Sequence, residues 1–559
     1  MNEAIGFYVA GGAALVVALQ KLRTRLELSK AKHPSLAGHP RMARRVAALL
    51  PTYRYGEEQF FNADDAPAEL VSRRRAAFAR MSNTYRTRFA QTVQRSAEIE
   101  GSISDMQFIN NYRVPFQFMP RVRQHLPSGS FMQSTAGVTV TDLDNNVFFD
   151  LTGSFGVNVF GNDFYKACID QGADLVRDLG PVLGAYHPVV SSNVQRLKAI
   201  SGMDEVSFHM SGTEAVMQAV RLARYHTGRS HLVRFCGSYH GWWGDVQPGP
   251  GNPSRAHETY NLKETDDDTL RVLRKRKDIA CVLVNPLQAL HPNAGAPGDS
   301  ALMDSGRRAH FDRTAYTAWL KKLRAVCDEK GIALIFDEVF LGFRLSAGGA
   351  QDYFGVRADL VTYGKTLGGG LPIGVVCGKH AWMKRFRDNA PADICFARGT
   401  FNSHPYVMGA MQTFLQHIDS DDVQTLYRDA DSVWEGRAYR LNRRLEEEGL
   451  PVRVAHLQSI WTVLYTEPAR YNWMFQYYLR LEGLALSWVG TGRLIFSLNY
   501  TELDFMTVAD RFVAAAKAQQ ADGWWWKNPA LTNKAIKRGI LREVLAVLVN
   551  RRTPAVQQP

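Results

Sequence analysis

The chain has 559 residues, 45% hydrophobic and 22% charged, with no low-complexity tract. That balance excludes a disordered or fibrous protein and leaves room for an enzyme-sized core, with a length prior of about three or four domains. The formal net charge of +13 raises nucleic-acid binding, but much of the excess gathers at the two ends rather than in a stripe with interleaved aromatics, so no nucleic-acid partner is expected. The six cysteines, Cys168, Cys236, Cys281, Cys327, Cys377 and Cys395, form no CxxC pair; no metal site is expected, and a reducing compartment is.

Residues 4–20 carry no charge and would span roughly 25 Å as a helix, just under the roughly 30 Å of a bilayer's hydrocarbon core. The following 25 residues hold eight cations, Lys21 to Arg45, against Glu27 alone. A cleavable signal peptide has its positive charge before the apolar run, not after it. Residues 1–22 therefore read as a single-pass membrane anchor with the catalytic part on the cytoplasmic side, although Gly11 and Gly12 weaken the span. Residues 23–115 read as a basic helical connector.

Residues 137–151 alternate as two strands around a turn at Asp144–Asn146. From there to residue 410, short apolar runs (VSFHM, HLVRF, CVLVN, ALIFDEV, LVTYG) alternate with helical segments. This is the pattern of an α/β fold, a parallel sheet covered by helices on both faces. Residues 116–410 are assigned to this large domain and 411–520 to a smaller C-terminal α+β domain. The tail, 521–559, has Trp524, Trp525 and Trp526 before a basic helical segment, which suits either a membrane interface or the enzyme's own surface.

Four local patterns carry chemistry. Ser211, Gly212 and Thr213 follow a strand and open a helix, where free N–H groups and the helix dipole make an anion site; a plain N-cap is the simpler reading of this motif taken singly. Tyr239 and His240 lie on a glycine-flanked loop able to cover a planar cofactor. Asp337 and Glu338 end an apolar strand, and a carboxylate there can pair with a pyridinium nitrogen. A magnesium-binding acid pair is excluded because no GxxxxGK[ST] is present. Lys365 stands between a strand and a glycine run, placed to form a Schiff base.

Together SGTEAVMQAVRLAR, FCGSYHG, LIFDEVFLGFR, GKTLGGGLPIG and GTFNSHP resemble the signature series of class III pyridoxal-phosphate aminotransferases. The likeness leans to the glutamate-1-semialdehyde aminomutase-like branch and the aminotransferase domains of lipopeptide synthases, over about residues 115–520. It implies a PLP-dependent transferase fold of type I, a pyridoxal 5'-phosphate cofactor and a homodimer. By position, Lys365 would carry the cofactor and shuttle the proton, Asp337 would pair with the ring nitrogen, and Val339 and Tyr239 would flank the ring. Gly212 and Thr213 would bind the phosphate, with Ser211 and His240 beside the cofactor. Gln288 would lie near the ring hydroxyl, Thr400 would arrive from the partner subunit, and Phe155 would line the substrate pocket.

The chain departs from the family at Asn285-Pro286, at Ser403-His404-Pro405 and in a long insert, 290–313, which opens the question of the substrate. The expected activity is transfer of an amino group from a donor to a carbonyl acceptor. An acyl ketone, a carrier-bound β-keto acyl chain or a long-chain, lipid-like aldehyde are all compatible. The alternatives are a 2,1-aminomutase and a silent membrane scaffold; intact Lys365 and Asp337 argue against the scaffold.

Overall fold

The structure is a computed structural model that describes residues 2–111, 114–247, 251, 258–293, 305–486 and 492–552; the side chains of residues 2–12, 37, 111 and 550–552 are outside the description. Its centre is a seven-stranded sheet. In chain order the strands are β1 (Glu205–His209), β2 (His231–Phe235), β3 (Thr259–Leu262), β4 (Ile279–Val284), β5 (Ala333–Asp337), β6 (Leu360–Gly364) and β7 (Gly374–Gly378). Their spatial order is β1-β7-β6-β5-β4-β2-β3. The middle strands IACVLV, ALIFD and LVTYG are buried at every position, as strands covered on both faces must be. The sequence pattern predicts a parallel sheet. The structure adds one reversal: β7 runs antiparallel to both β1 and β6, so the carboxyl ends of β1, β5 and β6 emerge on one edge.

Helices cover the sheet. The helix Gly212–Thr227 follows β1 and buries Ala215, Val216, Ala219, Val220, Leu222 and Ala223 against it. Arg313–Lys330 precedes β5; Asp312 caps its start by accepting from the Ala315 amide at 2.9 Å, and left-handed Gly331 ends it. Strands Thr139–Asp142 and Val147–Asp150 pair around a turn with Asn145 at φ 62°. A three-stranded antiparallel sheet, Val452–Leu457, Ile460–Tyr465 and Arg493–Ile495, packs with helices on the C-terminal side.

The two ends of the chain correct the membrane expectation. The uncharged run belongs to a 30-residue helix, Asn2–Ala31, whose last turns dock on the enzyme. There Ala31 is buried, its carbonyl accepts from the Lys263 amide at 2.8 Å, and Glu27 pairs with Lys275. The first part of the run, to residue 12, lies outside the described side chains. Among the described residues no helix is long and apolar enough to cross a membrane. The single-pass anchor and the cytoplasmic-face location built upon it are therefore withdrawn.

The tryptophan cluster is likewise internal. Trp524 and Trp525 are buried, and their indole N–H groups donate to Tyr478 Oη and Asn472 Oδ1, both at 2.8 Å. Trp526 donates to Asp64 at 2.7 Å. The helix Asn533–Arg552 folds back on the N-terminal segment: Glu543 accepts from Tyr53, Tyr55 and Arg470. Three indoles that spend their donors inside the protein are not available to a lipid interface.

Arg74 ties the two ends together. Its guanidinium is fully buried, forks onto Asp64 at 2.6 and 2.8 Å, and donates from Nε to the Gly523 carbonyl at 2.7 Å. It also lies over the Tyr471 ring. Removing one member of a buried pair strands the other charge. Arg74→Met should therefore lower stability by about 3–5 kcal/mol in denaturant unfolding. Arg80→Ala, which breaks the exposed pair with Asp522, should cost at most about 1 kcal/mol.

Candidate active site

The site lies where the carboxyl ends of β1, β5 and β6 meet. β1 is followed by Ser211, whose hydroxyl caps the helix by accepting from the Glu214 amide at 3.3 Å. The amides of Gly212 and Thr213 have no intrahelical acceptor and form the positive end of the dipole. Thr213 is locked against the second motif: a Cβ built on Gly241 would come within 2.6 Å of its Oγ1.

The two acids at the end of β5 serve different ends. Asp337 is buried and takes a 2.7 Å hydrogen bond between Oδ2 and His240 Nδ1. Its Oδ1 accepts from the Val339 amide at 3.2 Å and the Thr362 hydroxyl at 3.4 Å. Burial holds the His240 imidazole below its ordinary pKa, with Asp337 pulling the other way, so the ring is neutral near pH 7 and Nδ1 donates to the carboxylate. Glu338 points away. Its carboxylate accepts from the Ala350 and Gln351 amides, capping a helix, and burial raises its pKa to about 7.

β6 ends at Gly364, and Lys365 follows in the left-handed region at φ 48°. Its amine lies 4.4 Å from the centroid of the Phe340 ring, and its Cδ is 3.4 Å from where a Cβ on Gly156 would sit. Burial depresses the Lys365 pKa to about 8; Asp337 opposes this, while Arg344 and Arg493 add to it. Such an amine has a far larger neutral, nucleophilic fraction near physiological pH than an ordinary lysine. Close packing sets the floor of the site: a Cβ on Gly212 would lie 2.6 Å from Val339 Cγ1, and one on Gly364 3.3 Å from the same atom.

The structure thus brings together Ser211, Gly212, Thr213, His240, Asp337, Val339 and Lys365. Tyr239 adjoins them with its ring 59% exposed, an open aromatic face beside a buried acid. Gln288 is buried and donates to the Cys236 carbonyl at 2.7 Å, bracing that loop. Phe155 stands half-exposed in the loop 153–156, where Ser154 and Phe155 both have positive φ, strain of a kind concentrated at functional sites. Thr400 is exposed on a loop.

Sequence reasoning misses several members. It reads His240 as a cover for the cofactor, whereas the side chain is a partner of Asp337. Phe340 stands next to Val339, yet nothing in its type marks it. Arg344, buried, donates to the carbonyls of Asn158 and Phe496 and so fixes the loop carrying Phe155. Asn285, a departure from the family pattern, acts locally by donating its side-chain amide to the Tyr239 carbonyl at 3.0 Å.

The class-III aminotransferase family profile matches residues 120–244 and 312–534. The chain belongs to the class III aminotransferases. A glutamate-1-semialdehyde 2,1-aminomutase of Hydrogenobaculum sp. (strain Y04AAS1) is 32% identical over 349 residues, 59% of this chain and 76% of the relative. Another, from Geotalea daltonii, is 29% identical over 422 residues, 69% of this chain and 90% of the relative. A solved transaminase with PLP bound aligns at 26% identity and TM-score 0.59 over 71% of this chain and 92% of its own. A glutamate-1-semialdehyde aminomutase from Pseudomonas aeruginosa PAO1, at 18% identity, shares the fold with TM-score 0.64 over 80% of this chain and 99% of its own.

The cofactor of this aminotransferase is pyridoxal 5'-phosphate, and the residues fit it. A helix N-terminus suits the phosphate, a glycine-and-valine floor and the Tyr239 face suit a flat ring, a buried carboxylate suits its nitrogen, and a depressed lysine suits its carbonyl. Bound there, the cofactor supplies an electron sink; the protein supplies orientation and proton handling. The amine of Lys365 loses its proton at about pH 8. The rate at which apoenzyme captures pyridoxal 5'-phosphate should accordingly rise with pH to a midpoint near 8 in stopped-flow absorbance. A midpoint near the ordinary lysine value of 10.5 would show that burial does not govern this amine.

Proposed function

We propose that this aminotransferase moves an amino group from a donor to a carbonyl acceptor, as a homodimer, with Lys365 as the residue that binds the cofactor and carries the proton. The observation behind this reading is the convergence of a depressed, buried lysine and a buried Asp337–His240 pair on one helix N-terminus. Asp337 pairs with the ring nitrogen, and His240 acts through Asp337 as a positioning residue. Val339 and Tyr239 flank the ring, Gly212 and Thr213 hold the phosphate, and Phe155 lines the entrance. Thr400 serves the partner subunit's site, consistent with its exposure.

A second reading is favoured by the relatives, which are named 2,1-aminomutases. In that case the same residues return the amino group to the molecule it came from, and no separate keto product appears. The two are separated by incubating holoenzyme with a panel of amino donors. Transamination is expected to leave the pyridoxamine form and release a stoichiometric carbonyl product. Release of nothing, with isomerised substrate recovered, would favour the aminomutase.

Two further outcomes test the site. Borohydride should fix the cofactor to Lys365, and recovery on another lysine would remove the assignment. Asp337→Asn should fold and bind cofactor but lose roughly 100-fold or more in kcat, the scale of removing one preorganised electrostatic partner. His240→Phe should shift the cofactor's visible absorption band and lower kcat by less, a signature that a merely structural histidine would not give.

A further inference from the structure

Two cations at the site share one aromatic ring. Phe340 directly follows Val339, the residue that floors the site, in the turn after β5. The Lys365 amine lies over its ring, 4.4 Å from the centroid, and the Arg344 guanidinium lies over the same ring at 5.8 Å. Both are within the range of about 6 Å at which a cation is drawn to the electron-rich face of an aromatic ring. The other partners of Arg344, which is fully buried, are neutral oxygens: the Ser459 hydroxyl and the carbonyls of Gly156, Asn158 and Phe496. Asp337, whose field reaches the lysine, gives its oxygens to His240, the Val339 amide and the Thr362 hydroxyl.

The place of the ring is fixed by close packing. A Cβ built on Gly156 would meet the ring's Cε2 at 2.6 Å and Cδ2 at 2.7 Å, and the Lys365 Cδ at 3.4 Å. The missing side chain at Gly156 is what lets the ring and the lysine stem share this space, against the loop that carries Phe155. The kind of partner matters by magnitude. A carboxylate within about 4–6 Å raises the pKa of an amine by about 1–3 pH units and would hold the lysine protonated. A ring face supports the ammonium by roughly 0.5–1 pH unit and has no lone pair to take its proton. Burial and Arg344 press the amine down to about 8, and the ring works against both.

We propose that Phe340 is a positioning residue for Lys365: its ring face stands in for a counter-anion, holding the charged amine at the site and steadying Arg344 at the same ring. This rests on Lys365 as the residue that binds the cofactor. A lysine that is a free base at one stage and carries a proton at another needs a partner that favours the ammonium weakly and never competes for the proton. An aromatic ring meets both conditions, and an aliphatic side chain of similar size meets only the second.

The test follows capture of pyridoxal 5'-phosphate by full-length apoenzyme across pH, in stopped-flow absorbance. The wild type is compared with Phe340→Leu, Phe340→Tyr and a chain carrying a multiply fluorinated phenylalanine at position 340. Fluorination keeps the shape of the ring but drains the negative charge from its face. The titrations of the free cofactor are common to every chain, so differences between chains report the amine. Phe340→Leu and the fluorinated chain should each lower the midpoint of the capture rate by roughly 0.5–1 pH unit. Near neutral pH both should then capture the cofactor about 3–5-fold faster than the wild type, a gain that misfolding would not produce. Phe340→Tyr, which keeps the ring face, should hold the midpoint within about 0.3 pH unit of the wild type.

An unmoved midpoint in Phe340→Leu and the fluorinated chain would overturn the proposal. So would a fluorinated chain that behaves as the wild type while Phe340→Leu shifts, because the shape of the ring alone would then matter. Borohydride labelling stands apart from these outcomes. Label on Lys365 with unmoved midpoints sinks the role of Phe340 and leaves the cofactor assignment intact. Label on another lysine removes that assignment and this proposal with it.

Discussion

Everything at the site is organised around the 2.7 Å contact between His240 and Asp337. A carboxylate buried at the end of an apolar strand is costly unless its oxygens are satisfied. Here one oxygen takes an imidazole N–H, and the other takes the Val339 amide and the Thr362 hydroxyl. The arrangement holds the carboxylate in place with neutral donors only. A cationic partner would neutralise the charge that a pyridinium nitrogen needs; a neutral imidazole steadies it without consuming it. That choice explains why the histidine is buried, why its pKa is depressed, and why it sits on the same glycine-flanked loop as Tyr239.

From that fixed carboxylate the rest of the geometry follows by close packing. Val339 is two residues on, and Gly212 and Gly364 press against it so tightly that a methyl group on either would collide or crowd. Two strands and a helix start are thereby brought to one point, which a larger residue at position 212 would force apart. Lys365 reaches the same point only by adopting the left-handed region, a conformation costly for a side chain of its kind. Phe340 and the strained loop at 153–156 surround its stem. Arg344 then links that loop to the end of the strand Arg493–Ile495 through the carbonyls of Asn158 and Phe496.

Much of this is legible in the sequence because the informative features are local. A strand ending in acids, a small-residue turn into a helix and a lysine before three glycines each declare a backbone need. What is not legible depends on where distant segments meet. The run at residues 4–20 looks like an anchor when read by length and charge, but its helix continues to Ala31, where its last turns meet Lys263 and Lys275 of the enzyme, a contact that nothing in the run itself announces. Three consecutive tryptophans suggest an interface until Asp64, Asn472 and Tyr478, far away in sequence, take up their N–H groups. The reversal of β7 is hidden because an antiparallel strand buried on both faces has the same apolar composition as a parallel one. His240 stands out in the sequence, yet its spacing does not show that it faces Asp337.

The burial that makes Asp337 costly also sets the lysine. Lys365 is depressed first by burial, while the Asp337 carboxylate pulls the other way. Arg344 adds to the depression, because its partners, the Ser459 hydroxyl and the carbonyls of Asn158 and Phe496, leave its charge in place. A lysine that must shed its proton to attack a carbonyl is prepared by these surroundings, and the buried carboxylate keeps the depression from going further, so the amine can still take up a proton.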